Sequence, residues 1–380
     1  MKPFFSSAEQ RPYNSQYLTG KAFLQQADIL IDGSRPWDIK ICHPDFFKCI
    51  MQQGLLGLGE SYMDGWWECE RIDIFIYKFL HGQLDEALPM HLRDILKFFS
   101  AKLLSIKSDE SNSKQRHNDY EIGDDIFAVM LDAHMQYSCG YWNQASSLNE
   151  AQTAMLQMIC EKLQLAPGMR VLDIGCGWGG TAEYMARHYD VYVEGLTDST
   201  KQQKIAQARC QGLNVTIMLG DFRDRMDDKF DRIISLETLQ NIGLKSFQTF
   251  FETVGDCLKP DGRFLLQTMG SGQLINHIGP WLNKYIFPRG CLPSGEQIIK
   301  STQPYLRIED WINLGADYDK TFMSWQTRVN HAWPELKGHY SPKFKRMLEY
   351  YLCSCAGFLR ARKLNVWQVV FSRKIDAEII

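Results

Sequence analysis

At 380 residues the chain is too long for one typical domain of about 100 to 200 residues and can bury a sizeable core, so its length points to two units. A formal charge of -3 argues against a nucleic-acid binder, and eleven cysteines without a C-x-x-C pair indicate neither a metal site of the zinc type nor a disulfide framework. A reducing, cytoplasmic setting fits best. The N-terminal MKPFFSSAEQRPYNS has no apolar h-region, and nowhere do about 18 apolar residues run together, so neither a signal peptide nor a membrane span is expected. Any membrane contact is then peripheral.

Residues 1–106 mix short helical and strand-like runs with the Gly-rich, aromatic stretch GLLGLGESYMDGWWE at 54–68, and read as a small α+β module with Trp66 and Trp67 in its core. MHLRDILKFFSAKLLS has helical apolar spacing, and KSDESNSKQRHND at 107–119 is polar and charged, a linker. From 120 to 380 strand and helix alternate. MRVLDIGCG ends an apolar run in glycines, TAEYMARHY is helical, VYVEGLT strand-like, STKQQKIAQARCQ helical and NVTIMLGDF strand-like. FDRIISLE and GRFLLQTMG are further strands, with the amphipathic FQTFFETVGDCL between them. The expected fold is α/β, a doubly wound parallel sheet that binds ligands beyond the carboxyl ends of its strands.

Gly175, Gly177 and Gly180 satisfy G-x-G-x-x-G after a strand, which alone would also suit a dinucleotide. Asp173 stands two residues before the first glycine, where a cationic sulfonium with an amino-acid tail gains more than a diphosphate. Gly220-Asp221-Phe222 ends another strand with a carboxylate that can accept from an adenine amino group, beside an aromatic ring. VLDIGCGWGG followed by a GDF turn resembles the class I S-adenosylmethionine-dependent methyltransferases.

Longer stretches sharpen the resemblance. HPDFF, LGLGESYMDGWWECERID, MQYSCGYW, KYIFPRGCLPS, LGADYDKTFMSW and YYLCSCAGFLRARKLNVWQVVFSR, covering about residues 27–374, resemble the bacterial cyclopropane-fatty-acyl-phospholipid synthases of the mycolic acid cyclopropane synthase superfamily. That resemblance implies methyl transfer from S-adenosylmethionine to a cis double bond of a phospholipid acyl chain, then closure of a three-membered ring. It implies that Tyr137 and Ser138 close over the cofactor and that Gly175, Cys176 and Gly177 lie along its amino-acid part. Thr197 and Gln202 fall near the ribose, and Asp221 and Phe222 near the adenine. A peripheral phospholipid surface on the inner face of the membrane and a homodimer are the partners it implies, with the first module binding lipid or dimerising.

In that family the base is a bound bicarbonate, held by the cysteine of MQYSC, a glutamate of an F-E-H motif, a histidine of an L-L-H-T motif and the tyrosine of GADYD. Here Cys139 and Tyr318 keep the first and last, but the glutamate position is Gln240, its histidine neighbour is Asn241, and L-L-H-T reads LLQT with Gln267. Where the family usually has glycine, this chain has Glu237, three residues before Gln240. One reading makes Glu237 a built-in general base that replaces bicarbonate, oriented by Gln240, Gln267 and Tyr318, with only a backbone contact expected at Met269. The other makes it a contact to the cofactor or a solvent-facing carboxylate. The lost Glu and His also leave open a methyl-branched or methylene product, or a silent lipid-binding paralogue.

Cys355 reads as an active-site neighbour or, more simply, a packed core cysteine. Residues 343–374 interleave Lys and Arg with Phe344, Tyr350, Tyr351, Phe358, Trp367 and Phe371, a mixture that suits an anionic lipid surface or else a final helix and strand with a basic edge. Trp281, Tyr285 and Phe287 are expected to roof the acyl pocket.

Overall fold

The computed structural model describes residues 15–87, 122–225, 229–272, 279–288 and 290–374. The chain divides into two compact units, Met1–Glu110 and Ser111–Ile380. The linker expected at 107–119 lies outside the described residues.

In the first unit, helices α1 (Ser15–Gln26), α2 (Phe46–Met63), α3 (Ile72–His81) and α4 (Leu84–Ala87) surround a short antiparallel pair, β1 (Lys40–Ile41) and β2 (Trp67–Glu68). Trp67 is fully buried among Phe46, Tyr62 and Phe75, and its indole Nε1 donates to the Leu58 carbonyl at 3.1 Å. Trp66 is not core: it is half-buried and stacks on His43 with ring centroids 4.0 Å apart. Successive residues at a strand project to opposite sides, so two adjacent tryptophans cannot both enter the same core.

The second unit opens with α5 (Asp124–Met130) and α6 (Leu148–Leu163), then runs β3 (Arg170–Ile174), α7 (Gly180–Tyr189), β4 (Tyr192–Thr197), α8 (Thr200–Arg209), β5 (Val215–Leu219) and β6 (Phe230–Leu236). It continues through α9 (Phe247–Cys257), β7 (Leu258–Gly270), α10 (Pro280–Tyr285), α11 (Gly295–Thr302), β8 (Leu306–Asn313), α12 (Gly315–Leu336), α13 (Pro342–Arg360) and β9 (Asn365–Arg373). The sheet order is β5-β4-β3-β6-β7-β9-β8; pairing is parallel from β5 to β7 and antiparallel from β7 through β9 to β8. Because β3 sends its successor β4 to one side and has β6 on the other, its carboxyl end is the switch point where the fold leaves a crevice.

The central parallel strands β3 and β6 are buried on both faces while the edge strand β5 is partly exposed, and Phe250, Phe251, Phe264 and Phe371 interlock beside them. The basic and aromatic C-terminal segment folds as α13 and β9. Ser341 caps α13, accepting from the Phe344 N–H at 3.1 Å, with Pro342 starting the helix. Phe344, Tyr350, Tyr351, Trp367 and Phe371 are all buried, so these rings pack the core and are not a lipid-facing stripe. Arg360 is clamped to both carboxylate oxygens of Asp319 at 2.8 and 2.9 Å.

Candidate active site

At the carboxyl ends of β3 to β6 lies a cavity of about 960 Å³. All ten residues expected to hold the cofactor border it: Tyr137, Ser138, Asp173, Gly175, Cys176, Gly177, Thr197, Gln202, Asp221 and Phe222. Its shape depends on the glycine loop. Gly175 has φ +86, and a Cβ there would come within 2.1 Å of the Thr238 hydroxyl. Gly180, the first residue of α7, sits under the 135–140 loop, where an added Cβ would meet the His134 carbonyl at 1.7 Å. That loop is pinned from outside: Asp132 accepts the N–H groups of His134 and Gln136, and Gln152 Nε2 donates to the Ser138 carbonyl at 2.8 Å.

Asp173 is 2% exposed, and its Oδ2 has no hydrogen-bond partner among the described residues. Burial alone pushes its carboxyl up to about 7. An orphaned carboxylate oxygen at a cavity wall calls for a cation or a donor, and the ammonium of a methionine moiety is both. Thr197 Oγ1 donates to Gln202 Oε1 at 2.8 Å, a pair set by the Ser199 cap of α8. Asp221 is held by Arg223 through two side-chain bonds of 2.7 Å, which keep its carboxyl low. Phe222 is buried edge-on against Phe250, so its ring walls the cavity from the core side.

Binding a cation to Asp173 forces its carboxyl to ionise. Cofactor affinity should therefore be highest above pH 7 and fall by up to about tenfold per pH unit below it, with a proton released on binding. Calorimetric titration in buffers of different ionisation enthalpy measures that proton.

Glu237 stands where β6 ends. Its backbone is left-handed, φ +54, a conformation that costs a non-glycine residue about 1 kcal/mol. Three uncharged N–H donors converge on its carboxylate: Gln240 Nε2 to Oε2 at 2.9 Å, the Met269 amide to Oε2 at 3.2 Å, and Gln267 Nε2 to Oε1 at 3.3 Å. Thr268 Oγ1 donates to Gln240 Oε1 at 2.9 Å and so fixes which end of that amide faces Glu237. No cation donates to this carboxylate among the described residues. Desolvation outweighs the three donors and raises its pKa above the ordinary carboxylate range.

Tyr318 makes no hydrogen bond to Glu237 in the structure, but it lies close enough that the charge of Glu237, after burial, holds its phenol protonated. Cys139 is fully buried with Sγ 3.2 Å from the Gly140 carbonyl, and burial pushes its thiol well up, followed by the charges of Asp317 and Glu237. Tyr137 shares a 2.6 Å hydrogen bond with the hydroxyl of Tyr351, and its ring meets Trp325, which also faces Tyr318 and Phe322. Cys355 is 2% exposed beside these tyrosines, its thiol raised by burial, and it behaves as a packed thiol rather than a nucleophile. Phe287 packs on Tyr351, and Trp281 on Tyr350, so the α10 segment sits against α13.

Glu237 and Tyr137 thus both wall the cavity, and the rings of Trp325, Tyr318 and Phe322 pack in succession behind Tyr137. Comparison with known proteins gives this arrangement a family. The family model for mycolic acid cyclopropane synthetase matches residues 107–369. The chain belongs to that family.

Cyclopropane-fatty-acyl-phospholipid synthase of Escherichia coli (strain K12) is 53% identical over 365 residues, covering 96% of this chain and 95% of that protein. Tuberculostearic acid methyltransferase UfaA1 of Mycobacterium tuberculosis is 31% identical over 351 residues, 86% of this chain and 80% of that protein. Among solved structures, mycolic acid cyclopropane synthase CmaA1 complexed with SAH and CTAB superposes with a TM-score of 0.61 at 27% identity, covering 68% of this chain and 96% of that one. The cyclopropane synthase fold is thus a class I S-adenosylmethionine-dependent methyltransferase fold, and S-adenosylmethionine is the family's cofactor.

Sequence reasoning passed over Gln136, Trp178 and Thr238, which border the cavity, and Gln368, which is buried behind Gln267. Gln136 carried a signal, its place inside MQYSC. For Gln368 the signal was a lone amide in the apolar run NVWQVVF.

Proposed function

We propose that this protein transfers a methyl group from S-adenosylmethionine to the cis double bond of an unsaturated phospholipid acyl chain and closes a cyclopropane ring, with Glu237 as the base. Family membership supports the first part, and one observation carries the second: a strained glutamate occupies the point on which Gln240, Gln267 and Met269 converge. These include the two positions at which the family resemblance places bicarbonate's glutamate and histidine holders.

When bound, the cofactor supplies an electrophilic methyl group. Asp173, Thr197 and Gln202 would anchor its polar ends, with Met135, Gln136, Tyr137 and Ser138 bordering the same cavity. Methylation of an alkene leaves a carbocation, which the faces of aromatic rings such as Tyr137, Tyr318 and Trp325 stabilise. Ring closure then needs one C–H bond of the added methyl group to break. Its electron pair forms the last ring bond to the cationic carbon, and its proton passes to the Glu237 carboxylate. Neutral amides suit this role, because they orient the carboxylate while lowering its basicity less than a cation would.

No described helix is long and apolar enough to cross a membrane. A bilayer substrate therefore requires docking at the lipid surface, and the protein should sediment with vesicles of anionic phospholipid and be released by salt. Incubation with methyl-labelled S-adenosylmethionine and vesicles of unsaturated phospholipid, followed by mass analysis of the released acyl chains, tests the reaction. A ring-containing chain is expected. A methyl-branched or methylene chain would overturn ring closure, and absence of labelled lipid would overturn the activity.

A further inference from the structure

We propose that Gln368 is a positioning residue that acts through Gln267 to keep Glu237 ionised and aimed, an assignment that rests on reading Glu237 as the base. Gln267 on β7 and Gln368 on β9 are direct partners across the antiparallel pair, and both are fully buried. Gln368 Nε2 donates to Gln267 Oε1 at 3.1 Å, and Gln267 Nε2 donates to Glu237 Oε1 at 3.3 Å. The three side chains form a single line of donors running from β9 through β7 to the end of β6.

An amide has a fixed polarity, and the chain of bonds uses it. Were Gln267 turned over, its Oε1 would face Glu237 Oε1, two acceptors, and its Nε2 would face Gln368 Nε2, two donors. The wrong orientation is therefore opposed at both ends. Gln368 is itself turned by Met155, whose Sδ lies 3.5 Å from Nε2 and accepts weakly. Without Gln368 only the Glu237 end resists turning, and a protonated Glu237 would welcome the turned amide by donating to its oxygen. The acid form gains, the carboxylate loses its Oε1 donor, and the titration of Glu237 moves up.

Gln368 Oε1 has no partner among the described residues, and Gln368 stands in an otherwise apolar, buried stretch of β9, Val366 to Phe371. A half-satisfied amide in such a strand destabilises the sheet relative to an apolar side chain of its size. Packing alone does not explain its presence. The groups that face Glu237 electrostatically are Tyr137, Cys139 and Tyr318, all held protonated by burial, so Glu237 is the group of this cluster that changes charge first as pH rises.

The test is the Glu237 carboxyl stretch itself, followed against pH by infrared difference spectra that use Glu237→Gln as the reference. In Gln368→Met the midpoint should rise by about one pH unit, the size of a lost hydrogen bond to a charged group, with the melting temperature unchanged or higher. Gln267→Met should raise it at least as much, and the double variant no further than Gln267→Met alone. An unchanged midpoint in Gln368→Met, or shifts that add in the double variant, would overturn the proposal. Because this readout needs no turnover, it stands apart from the base assignment, which turnover of the same variants judges: the acid limb of kcat should follow the shifted midpoint.

Discussion

Glu237→Gln should lower turnover by about 10²- to 10⁴-fold, the usual effect of removing a general base, while S-adenosylmethionine binding changes only a few-fold. The substitution keeps the side-chain length, removes the proton-accepting charge and sets one NH2 group against a donor at this point. If Glu237 served instead as a contact to the cofactor, affinity would fall and the chemical step would not. In the unsubstituted protein the base must be ionised, so activity falls as pH drops through its pKa. Since burial raises that pKa, the acid limb should lie above the ordinary carboxylate range. Glu237→Gly relieves the strained backbone and empties the point where three N–H donors meet. Added formate or bicarbonate should then restore part of the lost rate, because a small planar anion fits the same donors.

Asp173→Asn should weaken S-adenosylmethionine binding by about 10²- to 10³-fold at pH 8, the penalty for removing one partner of a buried, hydrogen-bonded charge pair. The same change should stabilise the protein without cofactor. Asp173 has a folded pKa of about 7, raised above its unfolded value, so the carboxyl favours folding fully at low pH and loses that contribution as pH rises through 7. Above that point an ionised, unpartnered carboxylate is buried at the head of the glycine loop. A neutral amide avoids that penalty. Melting curves at pH 8 should show Asp173→Asn above the parent without cofactor and below it with cofactor, a crossing that a general folding defect would not produce.

Much of the fold was legible because most strands and helices of the β3–β7 region carry their own apolar period, the polar α8 excepted, and glycines and acids mark the strand ends. Strand direction was not. Nothing local in NVWQVVFSR says that β9 runs against β7, since the reversal depends on where α12 and α13 lead the chain. The C-terminal segment misled at the level of composition: Phe344, Met347, Tyr351 and Cys355 recur at helical spacing and turn inward on α13, which a tally of aromatic and basic residues does not reveal. Trp66 and Trp67 separated because adjacent side chains face opposite ways.

The site was legible where a motif is contiguous, as in VLDIGCG and MQYSC. It was opaque where chemistry depends on register. Gln267 meets Gln368 because two distant strands pair at those positions, and Glu237 meets Gln267 because β6 ends beside β7. The glycine that the family resemblance places at position 237 did foreshadow one feature, a backbone that turns left-handed there.

The most direct measurement is the rate of cyclopropane formation from labelled S-adenosylmethionine and unsaturated phospholipid vesicles in buffer stripped of carbon dioxide, compared with the same buffer containing added bicarbonate. With Glu237 as the base the two rates are equal, and both collapse in Glu237→Gln. A rate that vanishes on stripping and returns with bicarbonate would contradict the account and make Glu237 a spectator of a bound-ion mechanism.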